Sequence, residues 1–191
     1  MPSLILASTS RYRRELLTRL HLPFEAIAPA VDEAALPGEV PAALAERLAL
    51  AKARAVAALR PDAVVIGSDQ VADLGGEAIG KPGTHEAAAA QLRRMSGREV
   101  VFQTAVAVVA PGLAAIERAE VRVRFRELDD AAIEAYLRAD RPYDCAGSAK
   151  VESLGIALLE AVESDDPTAL VGLPLIRTCA LLRRAGLEPL A

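Results

Sequence analysis

The sequence predicts an α/β fold, and three observations carry the prediction. Apolar residues fill 52% of the 191 positions, enough to bury a substantial core. Only three Phe, three Tyr and no Trp occur, so that core has to be built from Leu, Val, Ile and Ala, the composition of helices packed on a sheet. Short apolar runs alternate along the chain with longer segments of helical spacing. The charged fraction of 25% is that of an ordinary folded protein rather than a disordered one. With no repeat, low-complexity tract or linker, residues 1–191 read as one domain.

Leu4-Ile5-Leu6-Ala7 reads as a buried strand, Ser8-Thr9-Ser10 as a hydroxyl-rich turn, and Arg13 to Leu20 as a helix. Strand, turn and helix in that order suit a phosphate group, because the helix N-terminus presents free N–H groups and the positive end of its dipole. Phe24 to Ala28 is a second strand, leading into the acidic Val31-Asp32-Glu33, and Pro37 to Pro41 is a turn. From Ala42 to Leu59 an Ala- and Leu-rich helix places Leu44, Leu48 and Val56 in one row, which Lys52 interrupts. A lysine there either snorkels to water or points into a site.

Ala63 to Ile66 is an apolar, β-branched strand expected to end at Gly67-Ser68-Asp69-Gln70, which puts Asp69 at a strand terminus, where α/β sheets bind ligands. Val71 to Leu74 and Glu77 to Ile79 pair across Gly75-Gly76, a strong hairpin signal, and Gly80-Lys81-Pro82 closes the unit. Thr84 caps a helix that stops at Ser96-Gly97. Strands follow at Val100 to Val109 and Val121 to Phe125, the second with Arg122, Arg124 and Arg126 on a solvated face. Asp129 or Asp130 caps a helix through Arg138. A polar loop from Arg141 to Glu152, a strand at Ile156 to Leu159, a loop from Ser164 to Pro174 and a helix from Leu175 to Arg184 complete the chain.

Several function classes drop out. A net charge of −4 disfavours a protein that coats nucleic acid, although Arg11, Arg13 and Arg14 crowd the first helix and could hold a small anion. Cys145 and Cys179 lie far apart in no ligand spacing and read as reduced thiols. Neither a signal peptide nor an apolar run of roughly 20 residues is present, so the expected compartment is the cytoplasm and no membrane contact is expected. The two histidines, His21 and His85, have no triad partners at sequence level and read as surface residues.

What remains is a set of carboxylates and cations near turns: Glu33, Asp69, Lys52, Lys81, Arg13 and Arg14. Each alone reads as a solvated surface charge. Together they suit metal-assisted attack of water on phosphorus, with carboxylates holding a hard cation, basic groups neutralising phosphate, and one carboxylate taking a proton.

The ordered motifs Leu-Ile-Leu-Ala-Ser-Thr-Ser with Arg13-Arg14, Val31-Asp32-Glu33, Gly67-Ser68-Asp69-Gln70, Gly80-Lys81-Pro82 and Ser96-Gly97 resemble the Maf family of nucleotide pyrophosphatases. The resemblance continues through Asp144-Cys145-Ala146-Gly147-Ser148, Lys150, Glu152 and Val171-Gly172-Leu173-Pro174-Leu175, and so covers essentially the whole chain. Gly-Ser-Asp-Gln and the Asp-Cys-Ala-Gly-Ser-x-Lys-x-Glu stretch look like the 7-methyl-GTP pyrophosphatase branch. The resemblance implies a mixed, elongated sheet flanked by helices, with two lobes and a cleft between them. It implies a divalent cation, Mg²⁺ or Mn²⁺, a small nucleoside triphosphate as partner rather than a nucleic-acid polymer, and a homodimer.

By matching position, Asp69 would be the general base, and Glu33 would join Asp69 in holding the metal. Ser8, Arg13, Lys52 and Lys81 would hold phosphates, while Tyr12, Gln70 and Glu152 would set base specificity. Alternatives within the resemblance are a pyrophosphatase for dTTP and UTP or other noncanonical triphosphates, and a nucleotide-binding regulator of septum formation. Two positions depart from the family pattern: Arg11 stands where many members have Pro, and Ala105 follows Thr104 where Gly is common. Neither departure is expected to touch the chemistry.

A methylated guanine suits these residues. N7-methylation makes the base a cation, so the face of Tyr12 would gain a cation–π contribution of roughly 0.5–2 kcal/mol, unless Tyr12 simply packs on the sheet. Glu152 would accept from the guanine N1–H and exocyclic amine, a donor pair that pyrimidines lack.

Overall fold

The computed structural model describes residues 2–190. A mixed seven-stranded sheet carries five α-helices, in the order β1 (Leu4–Ala7), α1 (Arg11–Thr18), β2 (Phe24–Ile27), α2 (Pro41–Ala57), β3 (Val64–Leu74), β4 (Glu77–Ile79), α3 (His85–Met95), β5 (Glu99–Ala110), β6 (Leu113–Phe125), α4 (Asp130–Asp140), β7 (Leu159–Ser164) and α5 (Leu175–Arg184). The strands run β2-β1-β3-β5-β6-β7 across the sheet, and β4 pairs with β3. The β2–β1 and β1–β3 pairs are parallel and the others antiparallel.

Elongation comes from three strands of 11, 12 and 13 residues, β3, β5 and β6. At about 3.3 Å per residue each spans roughly 36–43 Å, longer than one helix-covered core. One face therefore holds two cores in succession. Leu16 and Leu17 of α1 and Leu181 and Leu182 of α5 pack with Ile66 and Val106 at one end. Leu92 and Met95 of α3 and Ile133 and Leu137 of α4 pack with Leu74 and Phe102 at the other. The period of two along β3 and β5 puts Ser68, Gln70 and Thr104 on that same face, between the two cores. The opposite face carries α2, whose Leu44, Leu48, Ala49 and Ala53 pack on Val65, Val71 and Ala105. Gly67 is what lets α2 approach. A Cβ there would lie 2.2 Å from the Ala49 carbonyl oxygen and 2.5 Å from the Ala53 nitrogen.

Several elements differ from expectation. β3 does not stop before Gly67. It continues to Leu74, because β5 pairs with it without a break from Val65 to Asp73 and satisfies the backbone through the polar stretch. Asp69 is thus a mid-strand residue. The nearby strand end is that of β1, where Ala7 lies against Gly67. The run Leu154–Leu158 forms a 3₁₀ turn rather than a strand, and β7 begins at Leu159. Gly155 packs so closely on the Lys150 backbone that a Cβ would lie 2.5 Å from its carbonyl oxygen, and β7 follows as an edge strand bearing Glu160 and Glu163. The loop from Ser164 to Pro174 contains a 3₁₀ turn at Ala169–Val171. The caps at Thr84 and Asp129 form as expected, accepting from the Ala87 and Ala132 nitrogens, and Gly75 and Gly76 make the hairpin turn with φ of 67° and 94°.

Candidate active site

β1 covers one edge of β3 as far as Gly67, and β4 covers the same edge from Ala72 onward. Between them, at Ser68 to Val71, no described strand pairs with that edge. A cavity of about 450 Å³ opens beside this gap, inside the range of small-molecule sites. Its lining includes Ser8, Tyr12, Arg13, Glu33, Lys52, Gln70, Lys81 and Glu152, with Asp69 directly behind Lys52. These eight residues are therefore brought to one cleft, which Asp69 adjoins through Lys52, although they come from both faces of the sheet and from four loops.

The phosphate-like end is built on regular elements. The turn after β1 closes on itself, with Ser8 Oγ accepting from the Ser10 nitrogen at 3.1 Å and Ser10 Oγ capping α1 through the Arg13 nitrogen at 3.4 Å. The helix N-terminus then faces the cavity. Arg13 donates through Nε to the Gly172 carbonyl at 2.9 Å, which leaves the terminal nitrogens of its fork for an anion. Burial draws the Arg13 guanidinium below its usual value, against the pull of Asp69 and Glu33, yet it remains a cation at neutral pH.

Lys52 does not snorkel. It is 4% exposed, and its ammonium donates to Asp69 Oδ1 at 2.6 Å and lies 2.7 Å from Glu33 Oε1. The role expected of it was phosphate binding. Two of its three N–H groups are engaged by carboxylates, so one remains for that purpose. Burial pushes the Glu33 carboxyl upward, but the hydrogen bond from Lys52 and the charges of Lys52, Lys81 and Arg13 outweigh it, and the net shift is downward. Lys81 is exposed on the cavity rim after β4, and Arg14 is exposed outside the lining.

The other end joins Gln70 of β3 and Tyr12 of α1 to Glu152 on a loop. Gln70 Nε2 donates to Thr104 Oγ1 at 3.0 Å and to the carbonyls of Ala169 at 2.9 Å and Leu170 at 3.0 Å, and these acceptors fix the orientation of its amide. Only its Oε1 is left to meet a ligand. Glu152 is exposed on the rim. Local burial raises its pKa, and Asp140 adds to the rise against Lys150 and Arg11. Tyr12 does not pack on the sheet. Its hydroxyl accepts from Arg11 at 2.7 Å, and the Arg11 guanidinium lies 4.7 Å from the centre of its ring. Arg11 thus touches a proposed base-contacting residue, contrary to expectation. Ala105, the other departure, is fully buried in the α2 core, away from the cavity. Burial holds the Tyr12 phenol at about 12 and, with help from Asp144 and Glu152, the Cys145 thiol at about 12, so neither is a nucleophile at neutral pH.

Sequence reading missed the acceptors that hold the site together. The Gly172 carbonyl takes hydrogen bonds from both Arg13 and Ser68, and the Ala169 carbonyl from both Gln70 and Thr104. Backbone carbonyls leave no mark in composition. The one clue was Gly172, whose φ of 119° is a conformation that favours glycine.

Asp69 and Glu33 are hard oxygen donors within reach of one cation, which fits Mg²⁺ or Mn²⁺. Among the described residues no group of three or more His, Cys, Asp and Glu has ligand geometry, so substrate oxygens and water would have to complete such a shell. No helix among them is long and apolar enough to cross a membrane, and both cysteines are free thiols.

Fold and cleft together define a mixed α/β protein in which a helix N-terminus faces a cleft beside a carboxylate–lysine cluster. The model of the family described as Maf-like protein matches residues 3–185, and the chain belongs to that family. A protein of Polaromonas sp. named 7-methyl-GTP pyrophosphatase is 69% identical over 185 residues, covering 96% of this chain and 84% of its own. Proteins of the same name from Albidiferax ferrireducens and Xanthomonas campestris pv. campestris are 64% and 63% identical, and the matches cover 95% and 97% of those chains and 98% and 97% of this one.

Proposed function

We propose that this protein is a nucleoside triphosphate pyrophosphatase that converts 7-methyl-GTP to 7-methyl-GMP and pyrophosphate. The observation that carries the reading is the pair of carboxylates, Asp69 and Glu33, meeting on one buried ammonium beside a helix N-terminus that faces the cavity. The names of relatives more than 60% identical over nearly the whole chain support the substrate. A cytoplasmic site of action goes with the free thiols of Cys145 and Cys179.

Asp69 takes a proton from the attacking water, whose oxygen bonds to the α-phosphorus while the bond to the bridging oxygen breaks and pyrophosphate leaves. Glu33 and Asp69 would hold a divalent cation, Mg²⁺ or Mn²⁺, which when bound supplies positive charge to the phosphate oxygens. Arg13, through its terminal nitrogens, the remaining N–H of Lys52, Lys81 and the Ser8 turn orient the phosphate chain. Tyr12, the Gln70 carbonyl oxygen and Glu152 select the base.

Product analysis over 7-methyl-GTP, GTP, dTTP and UTP, with Mg²⁺ or Mn²⁺, tests the proposal. The expected result is pyrophosphate and monophosphate, with the highest kcat/KM on 7-methyl-GTP. Release of orthophosphate would overturn the reaction, and a preference for dTTP or UTP would overturn the substrate.

A further inference from the structure

Arg11 has no part in the reaction above, yet it is in contact with the residue proposed to face the base. It opens α1, its side chain is exposed, and its guanidinium lies 4.7 Å from the Tyr12 ring centre while a terminal nitrogen donates to the Tyr12 hydroxyl at 2.7 Å. The negative charges of Asp144 and Glu15 favour its charged form. Both Arg11 and Tyr12 line the cavity. The negative face of an aromatic ring attracts cations, and a guanidinium already stacked on it reduces what it can offer a second one. A methylated guanine brings just such a second positive charge, and it would also be repelled directly by Arg11 at short range. A neutral base meets neither penalty.

We propose that Arg11 is a specificity-determining residue which, by holding its cation on the Tyr12 ring, lowers the site's preference for a positively charged base over a neutral one. The inference rests on the reading of 7-methyl-GTP as substrate. Arg11 also attracts the triphosphate, but that contribution is common to 7-methyl-GTP and GTP and cancels in the ratio of their kcat/KM values. The ratio is therefore the quantity to measure.

Steady-state kinetics on both substrates are compared for the natural protein, Arg11→Gln, Arg11→Met and Arg11→Lys. The two neutral variants are expected to raise the 7-methyl-GTP to GTP ratio by about 2- to 30-fold, the span of a cation–π contact. Arg11→Lys keeps the charge and is expected to stay closer to the natural protein than to Arg11→Gln. Because the side chain is exposed, the melting temperature should not move. A ratio that is unchanged or lower in both neutral variants overturns the inference and leaves the proposed reaction intact. If the natural protein releases no pyrophosphate from 7-methyl-GTP, the substrate reading fails and the inference fails with it.

Discussion

The two ends of the cleft are built differently. At the phosphate end, Ser8, Arg13, Lys52 and Asp69 stand on or directly beside β1, α1, α2 and β3, and Lys52 and Asp69 are at most 7% exposed. Their positions are fixed by the sheet register and by the close approach of α2 to Gly67. At the base end, Glu152, Asp144 and Cys145 stand on a stretch without regular strands or α-helix, which includes Ser148, a fully buried non-glycine residue at φ of 55°. Ser148 is held by its hydrogen bond to Gln91 at 2.6 Å, and the Gly147 nitrogen bonds the Gly80 carbonyl next to Lys81. Most atoms proposed to meet the reacting phosphorus sit on rigid elements, with Glu33 and Lys81 on loops, whereas base recognition joins Tyr12 of α1 and Gln70 of β3 to Glu152 on a loop that can vary without disturbing the chemistry.

The sharpest way to break this contrast is Asp69→Asn. The substitution keeps shape and one acceptor for Lys52 but removes the base. With any triphosphate, kcat should fall by about 10²–10⁴-fold while the melting temperature stays close to that of the natural protein. Pyrophosphate release in rapid-quench or coupled assays measures this. A variant retaining more than a tenth of its activity would deny Asp69 its role and reopen the reading of a nucleotide-binding regulator.

Asp166 tests whether the loop carbonyls really fix the phosphate end. This carboxylate is fully buried, accepts from Thr168 Oγ1 at 3.1 Å and from the Arg177 nitrogen at 3.2 Å, and so anchors the segment that presents the Ala169 and Gly172 carbonyls. Asp166→Ala should destabilise the protein by about 2–3 kcal/mol, the lower end for a buried charge because Arg177 keeps Asp165 as partner. With Gly172 released, Arg13 loses its orientation, and kcat/KM should fall by up to about 10²-fold on both 7-methyl-GTP and UTP, with a further loss on 7-methyl-GTP because the Ala169 and Leu170 carbonyls also orient Gln70. Asp166→Asn should recover most of both. A fall confined to 7-methyl-GTP would deny the Gly172 carbonyl its part in orienting Arg13 and leave this loop serving Gln70 alone.

Much of this was legible in the sequence, for identifiable reasons. Ser8 and Arg13 follow β1 immediately, and helix-terminus chemistry is local. Lys52 betrayed itself by breaking the apolar row of Leu44, Leu48 and Val56. The stacking of Arg11 on Tyr12 was not legible, because adjacent residues on a regular helix are not expected to face each other. The continuation of β3 through Gly67-Ser68-Asp69-Gln70 escaped for a related reason. Polar residues in mid-strand contradict local propensity, and they are tolerated because Lys52, Ala105 and Thr104 supply partners from elements far away in the chain. The same non-locality hid the 3₁₀ turn at Leu154–Leu158, which depends on how Gly155 meets Lys150.

The smallest expected effects are at Glu152, and they separate the two ends most cleanly. Glu152→Ala should lower kcat/KM on 7-methyl-GTP by about tenfold, from the loss of a charged acceptor for the guanine donors, and leave UTP nearly unchanged. Equal loss on both substrates would sink the assignment. pH gives a second handle. The Glu152 carboxyl is raised by burial, so it gains its proton at a higher pH than an ordinary carboxylate, whereas Glu33 is held below the ordinary range and keeps its charge to lower pH. On acidification the 7-methyl-GTP to UTP ratio should therefore fall at a higher pH than that at which Glu33 begins to protonate. Titration of the triphosphate is shared by both substrates, and any titration of the base itself persists in Glu152→Gln, which cannot ionise. The slope present in the natural protein and absent from Glu152→Gln belongs to this carboxylate, and identical slopes in the two proteins would remove Glu152 from base recognition.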